Sequence, residues 1–161
     1  MWKYRVVNAY DCVSLNDCVI RNVKITDNLL SFPLDDGFWM ISGTKYNSYE
    51  EAVQTDKSEI NFIDFDKNMS VFLMFKRHYL FGKHIYTTRK KVDLDKVFER
   101  INSGEWEIEF SDQYFSKRRV LLFGSVNTRK LLWAFDFQLV IDCEKMEYCW
   151  NDVCTDRKNN N

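Results

Sequence analysis

Hydrophobic and polar residues alternate with a period of two over much of the chain, the signature of strands with one buried face. Val23 and Ile25, then Leu30, Phe32 and Leu34, flank the turn-forming pair Asp27-Asn28, which predicts a hairpin. A second turn, Asp35-Asp36-Gly37, leads into Phe38-Trp39-Met40-Ile41, expected as a third strand pairing back on the second. Residues 42–57 are polar and broken by Gly43, Asn47 and Ser48, so this is the longest expected loop. One short helical turn is expected within it, with Ser48 capping and Glu51 three residues on. Alternation resumes at Ile60 and Phe62 and slips to Ile63 and Phe65, as a bulge at Asp64 would produce. After a turn at Asp66-Lys67-Asn68, Val71 to Phe75 is apolar on both faces and expected as a central strand. A basic hairpin follows from Lys76 to Lys91, turning near Phe81-Gly82-Lys83.

One segment changes period. Leu94, Val97, Phe98 and Ile101 fall at i, i+3, i+4 and i+7, the apolar stripe of a helix predicted over 93–103. Asp93 is placed to cap its start, Asp95 lies in the first turn, Arg100 in the last, and Gly104 just beyond. Trp106, Ile108 and Phe110 then alternate with Glu105, Glu107 and Glu109, and another strand lies near Val120 to Phe123. Leu131, Trp133, Phe135, Phe137, Leu139 and Ile141 hold one face of a long strand, which Glu144-Lys145 turns into Met146, Tyr148 and Trp150. About ten strands with one amphipathic helix predict a mainly β (α+β) domain over 1–154, built as an antiparallel sandwich or open barrel. The tail 155–161 is expected to be frayed.

Composition agrees. The chain has 161 residues, 45% of them hydrophobic, and a formal net charge of −1, enough to form one core without a staple. Aromatics reach 16% while alanine occurs only at 9, 52 and 134, which favours strands over a helical bundle. No apolar run approaches the roughly 18 residues of a membrane helix. The opening MWKYRVVNAY carries Lys3 and Arg5 and no apolar stretch, so no secretory leader, no membrane association and a cytoplasmic location are expected. The five cysteines, Cys12, Cys18, Cys143, Cys149 and Cys154, are odd in number and lack C-x2-C spacing, and His78 and His84 are five residues apart between them. Buried reduced thiols are therefore expected, with no metal and no cofactor.

No assembled catalytic motif is visible. The glycines at 37, 43, 82, 104 and 124 are too dispersed for a phosphate-binding loop, and neither G-x-S-x-G nor H-E-x-x-H occurs. No catalytic residue is assigned and no enzymatic activity is expected. Charge is more informative because it is segregated: residues 1–66 hold 6 Lys+Arg against 11 Asp+Glu, whereas residues 67–101 hold 9 against 3. Two candidate surfaces follow. The acids Asp35, Asp36, Glu50, Glu51, Asp56 and Glu59, with Trp39, Tyr46 and Tyr49, form an expected binding surface for a basic protein partner. The alternative is a nucleic-acid-binding ribbon made of Lys76, Arg77, Lys83, Arg89, Lys90 and Lys91, with Tyr79, Phe81 and Tyr86 interleaved. The same lysines would also protect an edge strand.

The segment Leu15-Asn16-Asp17-Cys18-Val19-Ile20, continuing through Val23, Ile25, Leu30 and Phe32 to Asp36-Gly37-Phe38, resembles the opening of a group of small bacterial β-rich proteins. That group begins with L-H-D-x-x-[IV] followed by a hairpin ending in an acidic-Gly turn, and some of its members resemble immunity proteins encoded beside secreted toxins, including contact-dependent inhibition systems. At Asn16 the chain departs from the pattern, so no role of the group's histidine carries over. The resemblance implies a non-catalytic immunity protein whose partner is a cognate protein toxin.

Overall fold

A computed structural model describes residues 1–128 and 134–154; Leu131 and Trp133 of the expected long strand, and the expected frayed tail 155–161, lie outside the described residues. In chain order the strands are β1 (Tyr4–Val7), β2 (Val13–Ser14), β3 (Val19–Ile20), β4 (Lys24–Thr26), β5 (Leu29–Leu34), β6 (Trp39–Met40), β7 (Val53–Thr55), β8 (Ser58–Ile63), β9 (Asp66–Leu80) and β10 (Lys83–Val92). After the helix α1 (Leu94–Asn102) come β11 (Trp106–Ser116), β12 (Arg119–Thr128), β13 (Ala134–Asp142), β14 (Lys145–Trp150) and β15 (Val153–Cys154). They form three antiparallel sheets with orders β1-β14-β8-β5-β4, β10-β9-β13-β12-β11-β3 and β15-β7-β6-β2. The fold is thus a β-rich α+β sandwich, and the sheets do not close into a barrel.

The core lies between the two larger sheets. Leu30, Phe32, Ile60, Phe62, Met146 and Tyr148 face inward from one, and Phe72, Phe137, Leu139, Leu122 and Phe110 from the other, all at most 2% exposed. Phe32 spans the layers, edge-on to Phe62 at 5.1 Å and tilted against Phe110 at 6.3 Å. Each such side chain contributes about 1.5–3 kcal/mol through burial. Helix α1 forms where the sequence predicts it. The Asp93 side chain accepts from the backbone N–H groups of Asp95 and Lys96, while Leu94, Val97, Phe98 and Ile101 are buried. Its last residue is pinned to the chain before β4, since the Asn102 amide accepts from the Val23 N–H at 2.7 Å and donates to the Val23 carbonyl at 2.9 Å.

Several expectations are corrected. β4 and β5 form the predicted hairpin, with Leu30, Phe32 and Leu34 buried, but Ile25 points to solvent. The run from Phe38 does not pair back on β5. Gly37 takes φ +75° and lies against the Thr55 backbone, the Phe38 N–H donates to the Thr55 hydroxyl at 2.9 Å, and β6 joins β2 and β7 in the third sheet. No helical turn forms at Ser48. Instead the buried Asn47 side chain organises the loop, donating to the carbonyls of Met40 and Glu51 at 2.9 Å each and accepting from the Tyr49 N–H. The slip at Asp64 is no bulge within a strand. Asp64 adopts φ +52° between β8 and β9 and carries the chain from one sheet to the other. The expected turn at Asp66 lies within β9 as an irregularity, where the Asp66 carboxylate accepts from the N–H groups of Asn68 and Met69. β9 is an interior strand as expected, between β10 and β13. Of its run Val71–Phe75 only Phe72 is fully buried, and the other four are half-buried.

Candidate functional site

Among the described residues the hairpin from Lys76 to Lys91 is exposed along its whole length, with only His78 half-buried. The register of β9 with β13 among the described residues reaches Phe75, opposite Asp136, and β9 continues beyond it paired with β10. We call residues 76–91 the arm. Its turn is two residues long, with Phe81 at φ +49° and Gly82 at φ +75°, the geometry whose twist matches that of the flanking strands. This turn drives the Phe81 ring outward, where it is 95% exposed. Tyr79, Leu80, Ile85 and Tyr86 are each more than half exposed around it. The tip is therefore apolar and aromatic, and the stem is cationic.

Strand alternation splits the cations between two faces. The register sets Thr87 opposite Arg77, Arg89 opposite Phe75 and Lys91 opposite Leu73 on one face; Thr88 lies opposite Lys76, and Lys90 opposite Met74, on the other. Lys83 sits opposite Leu80 beside the turn. Arg77 is ion-paired with Asp136 of β13, and this bond raises its pKa further above the guanidinium norm. That pair lies in an open groove of about 450 Å³ at the base of the arm, walled by Phe75, Thr87, Asp112 and Phe123. His78 and His84 also separate onto opposite faces. His78 stacks on Tyr86 at 4.4 Å and bonds to the Thr88 hydroxyl, while His84 bonds to that of Thr87.

Most of the acidic residues singled out in the sequence are bound within the fold. Asp35 pairs with Lys57 at 3.1 Å, Asp36 with Arg21 at 3.1 Å and Glu59 with Lys24 at 3.0 Å. The Asp56 carboxylate accepts from the backbone of Asn151 and Asp152, tying the start of β8 to the turn before β15. Tyr46 packs edge-on against Trp150 at 5.7 Å, and Trp39 is half-buried in β6. Tyr49, Glu50 and Glu51 are exposed on the loop.

The thiols offer no activated nucleophile among the groups that shift. Burial pushes Cys18 and Cys149 up to about 12 and Cys143 to about 11. Cys12 borders a surface pocket of about 400 Å³, yet burial and the adjacent Asp11 carboxylate both raise its pKa, the opposite of thiolate activation. Among the described residues no group of three or more His, Cys, Asp or Glu side chains is arranged to hold a metal ion, and no helix is long and apolar enough to cross a membrane.

Leu80 and Ile85 escaped the sequence reading of this surface. Their signal was present: both are aliphatic residues within three positions of a turn, in a segment otherwise polar, cationic and aromatic. Compared with known protein families, curated proteins and solved structures, the chain matches none.

Proposed function

We propose that this chain is a non-catalytic protein-binding module, an immunity protein that neutralises a cognate bacterial toxin by occluding it, and that the arm is its grip. One observation carries the reading: five large apolar side chains, Tyr79, Leu80, Phe81, Ile85 and Tyr86, are gathered in the open at the end of a single hairpin. Exposed apolar area forfeits about 25 cal/mol per Å² that burial would recover, and its concentration at one place marks a contact surface. Aromatic anchors ringed by cations are the composition of an interface centre with an electrostatic rim. The stem favours a partner with an acidic rim, rather than the basic partner that the acidic segment suggests. The resemblance of residues 15–38 to a group of small bacterial β-rich proteins, some of which resemble immunity proteins, supports the same class. The test is co-expression with the product of the adjacent gene. A toxin whose activity is suppressed in a 1:1 complex is expected; housekeeping neighbours and no complex would contradict it.

A second reading keeps one specific support. Tyr79 and Tyr86 stand exposed among Lys83, Arg89 and Lys90, a stacking-and-phosphate pattern suited to nucleic acid. It predicts affinity falling by roughly one unit of log–log slope with salt for each phosphate contacted. Absence of binding at low salt removes it.

A further inference from the structure

Sheet edges are a liability because their unpaired N–H and C=O groups invite other strands, and native folds shorten or cover them. Among the described residues the three sheets have six edges. Five are strands of four residues or fewer: β1 has 4, β4 has 3, and β3, β2 and β15 have 2 each. The sixth is β10, with 10 residues, every one from Lys83 to Lys91 exposed. Its one irregularity falls between His84 and Tyr86, so Tyr86–Val92 runs in unbroken register along β9 and offers roughly 24 Å of edge at about 3.4 Å per residue.

We infer that the free edge of β10 is a docking site for an extended acidic segment of a partner protein, added as a seventh strand to the six-stranded sheet. This rests on the protein-binding reading above and names the partner's chemistry. Charge selects the occupant. β10 carries Lys83, Arg89, Lys90 and Lys91 and no Asp or Glu. A second copy of the chain laid on the same edge would bring two cationic strands together, and like charges directly opposite one another destabilise a ladder. A strand bearing glutamate or aspartate meets opposite charges on both faces, since Arg89 and Lys91 lie on one and Lys90 on the other. Main-chain bonds supply the affinity, and the alternating cations supply the preference. Lysines kept only to repel strands need no exposed apolar side chain, whereas Ile85 and Tyr86 stand exposed at the end of this edge.

The probe is a seven-residue peptide alternating glutamate and valine, blocked at both ends. Two controls accompany it, one with lysine for glutamate and one N-methylated at alternate amides along the pairing edge. Amide exchange and shifts are followed in the isotope-labelled full chain. The acidic peptide is expected to slow exchange of alternate β10 amides between Tyr86 and Val92. N-methylation is expected to weaken it by roughly tenfold or more, and the lysine peptide is expected not to bind. Equal binding of the N-methylated peptide, protection elsewhere than β10, or self-association of the chain through β10 at the same concentration would overturn the inference. The same amides are then followed in the toxin complex. A complex that forms while they exchange freely overturns edge docking and leaves the binding function standing. A peptide-bound edge without any toxin complex supports edge docking and removes only the immunity function.

Discussion

Arg5 on the edge strand β1 holds Glu147 of β14 with two guanidinium nitrogens, Nε to Oε1 at 3.1 Å and Nη2 to Oε2 at 2.8 Å. Behind this pair Asn61 donates to Glu147 Oε2 at 3.1 Å and itself accepts from the Ser31 hydroxyl at 2.6 Å, so one polar ladder crosses the outer face of the five-stranded sheet. Burial pushes the Glu147 carboxyl up, but the bonds from Arg5, Asn61 and Cys149, with the charge of Arg5, outweigh it and leave its pKa below the usual carboxylate range. A depressed folded-state pKa gives stability that is present above the unfolded value near ~4.3 and lost as pH falls through the folded one. Glu147→Gln is therefore expected to cost about 1–3 kcal/mol at pH 7 in urea unfolding. The difference from the parent chain should shrink in acid, and an equal loss at neutral and acid pH would contradict the assignment.

Gly37 makes a second, sharper requirement. A Cβ added there would lie 2.3 Å from the Thr55 carbonyl oxygen and 2.5 Å from that of Asp56, at φ +75°. Gly37→Ala should lower stability by about 1–3 kcal/mol or more, read as a fall in thermal midpoint. The loss should come with disorder in β6 and β7, the strands that this turn directs into the third sheet.

The same turn shows where sequence reading ran out. Helix α1 was legible because its cap, stripe and stop all lie within a dozen consecutive residues, from Asp93 to Gly104. The β4–β5 hairpin and the alternating strands β11 and β13 were legible for the same local reason. β6 was misassigned because its partners, Val13–Ser14 and Val53–Thr55, are too short to show a period and far apart in sequence. Asn47 gives no local hint that its amide will be buried beneath two carbonyls. The pairing of the acidic candidates Asp36 and Glu59 was not legible, because Arg21 and Lys24 are cations that no local pattern links to them. The arm's charge and aromatics could be read directly, but its edge position depends on strand order, which the sequence does not encode locally.

Thiol reactivity tests the burial pattern. Cys12, Cys18, Cys143 and Cys149 are buried and held as thiols, and Cys154 is half-buried. An aromatic disulfide reagent at pH 8 should modify Cys154 first and the other four only on unfolding. Rapid native labelling at Cys18 or Cys149 would show that these sites open more readily than their burial implies.

Charge on the arm should act mainly on encounter. Reversing Lys83, Arg89 and Lys91 to glutamate is expected to slow association with the toxin by roughly tenfold or more, with a smaller effect on dissociation. It should also flatten the dependence on salt. Stopped-flow association at two ionic strengths reads both, and an unchanged rate would remove the steering role.

Titration calorimetry of the toxin against a Tyr79→Ser, Phe81→Ser variant tests the central claim most directly. All the large side chains at the tip are exposed, so folding stability should stay within about 0.5 kcal/mol of the parent. Affinity should fall by about 2 kcal/mol, roughly 30-fold, as expected when aromatic anchors leave an interface centre. Affinity equal to the parent's, with the loss appearing instead in a Glu50→Lys, Glu51→Lys variant, would place the grip on the acidic loop and contradict the account.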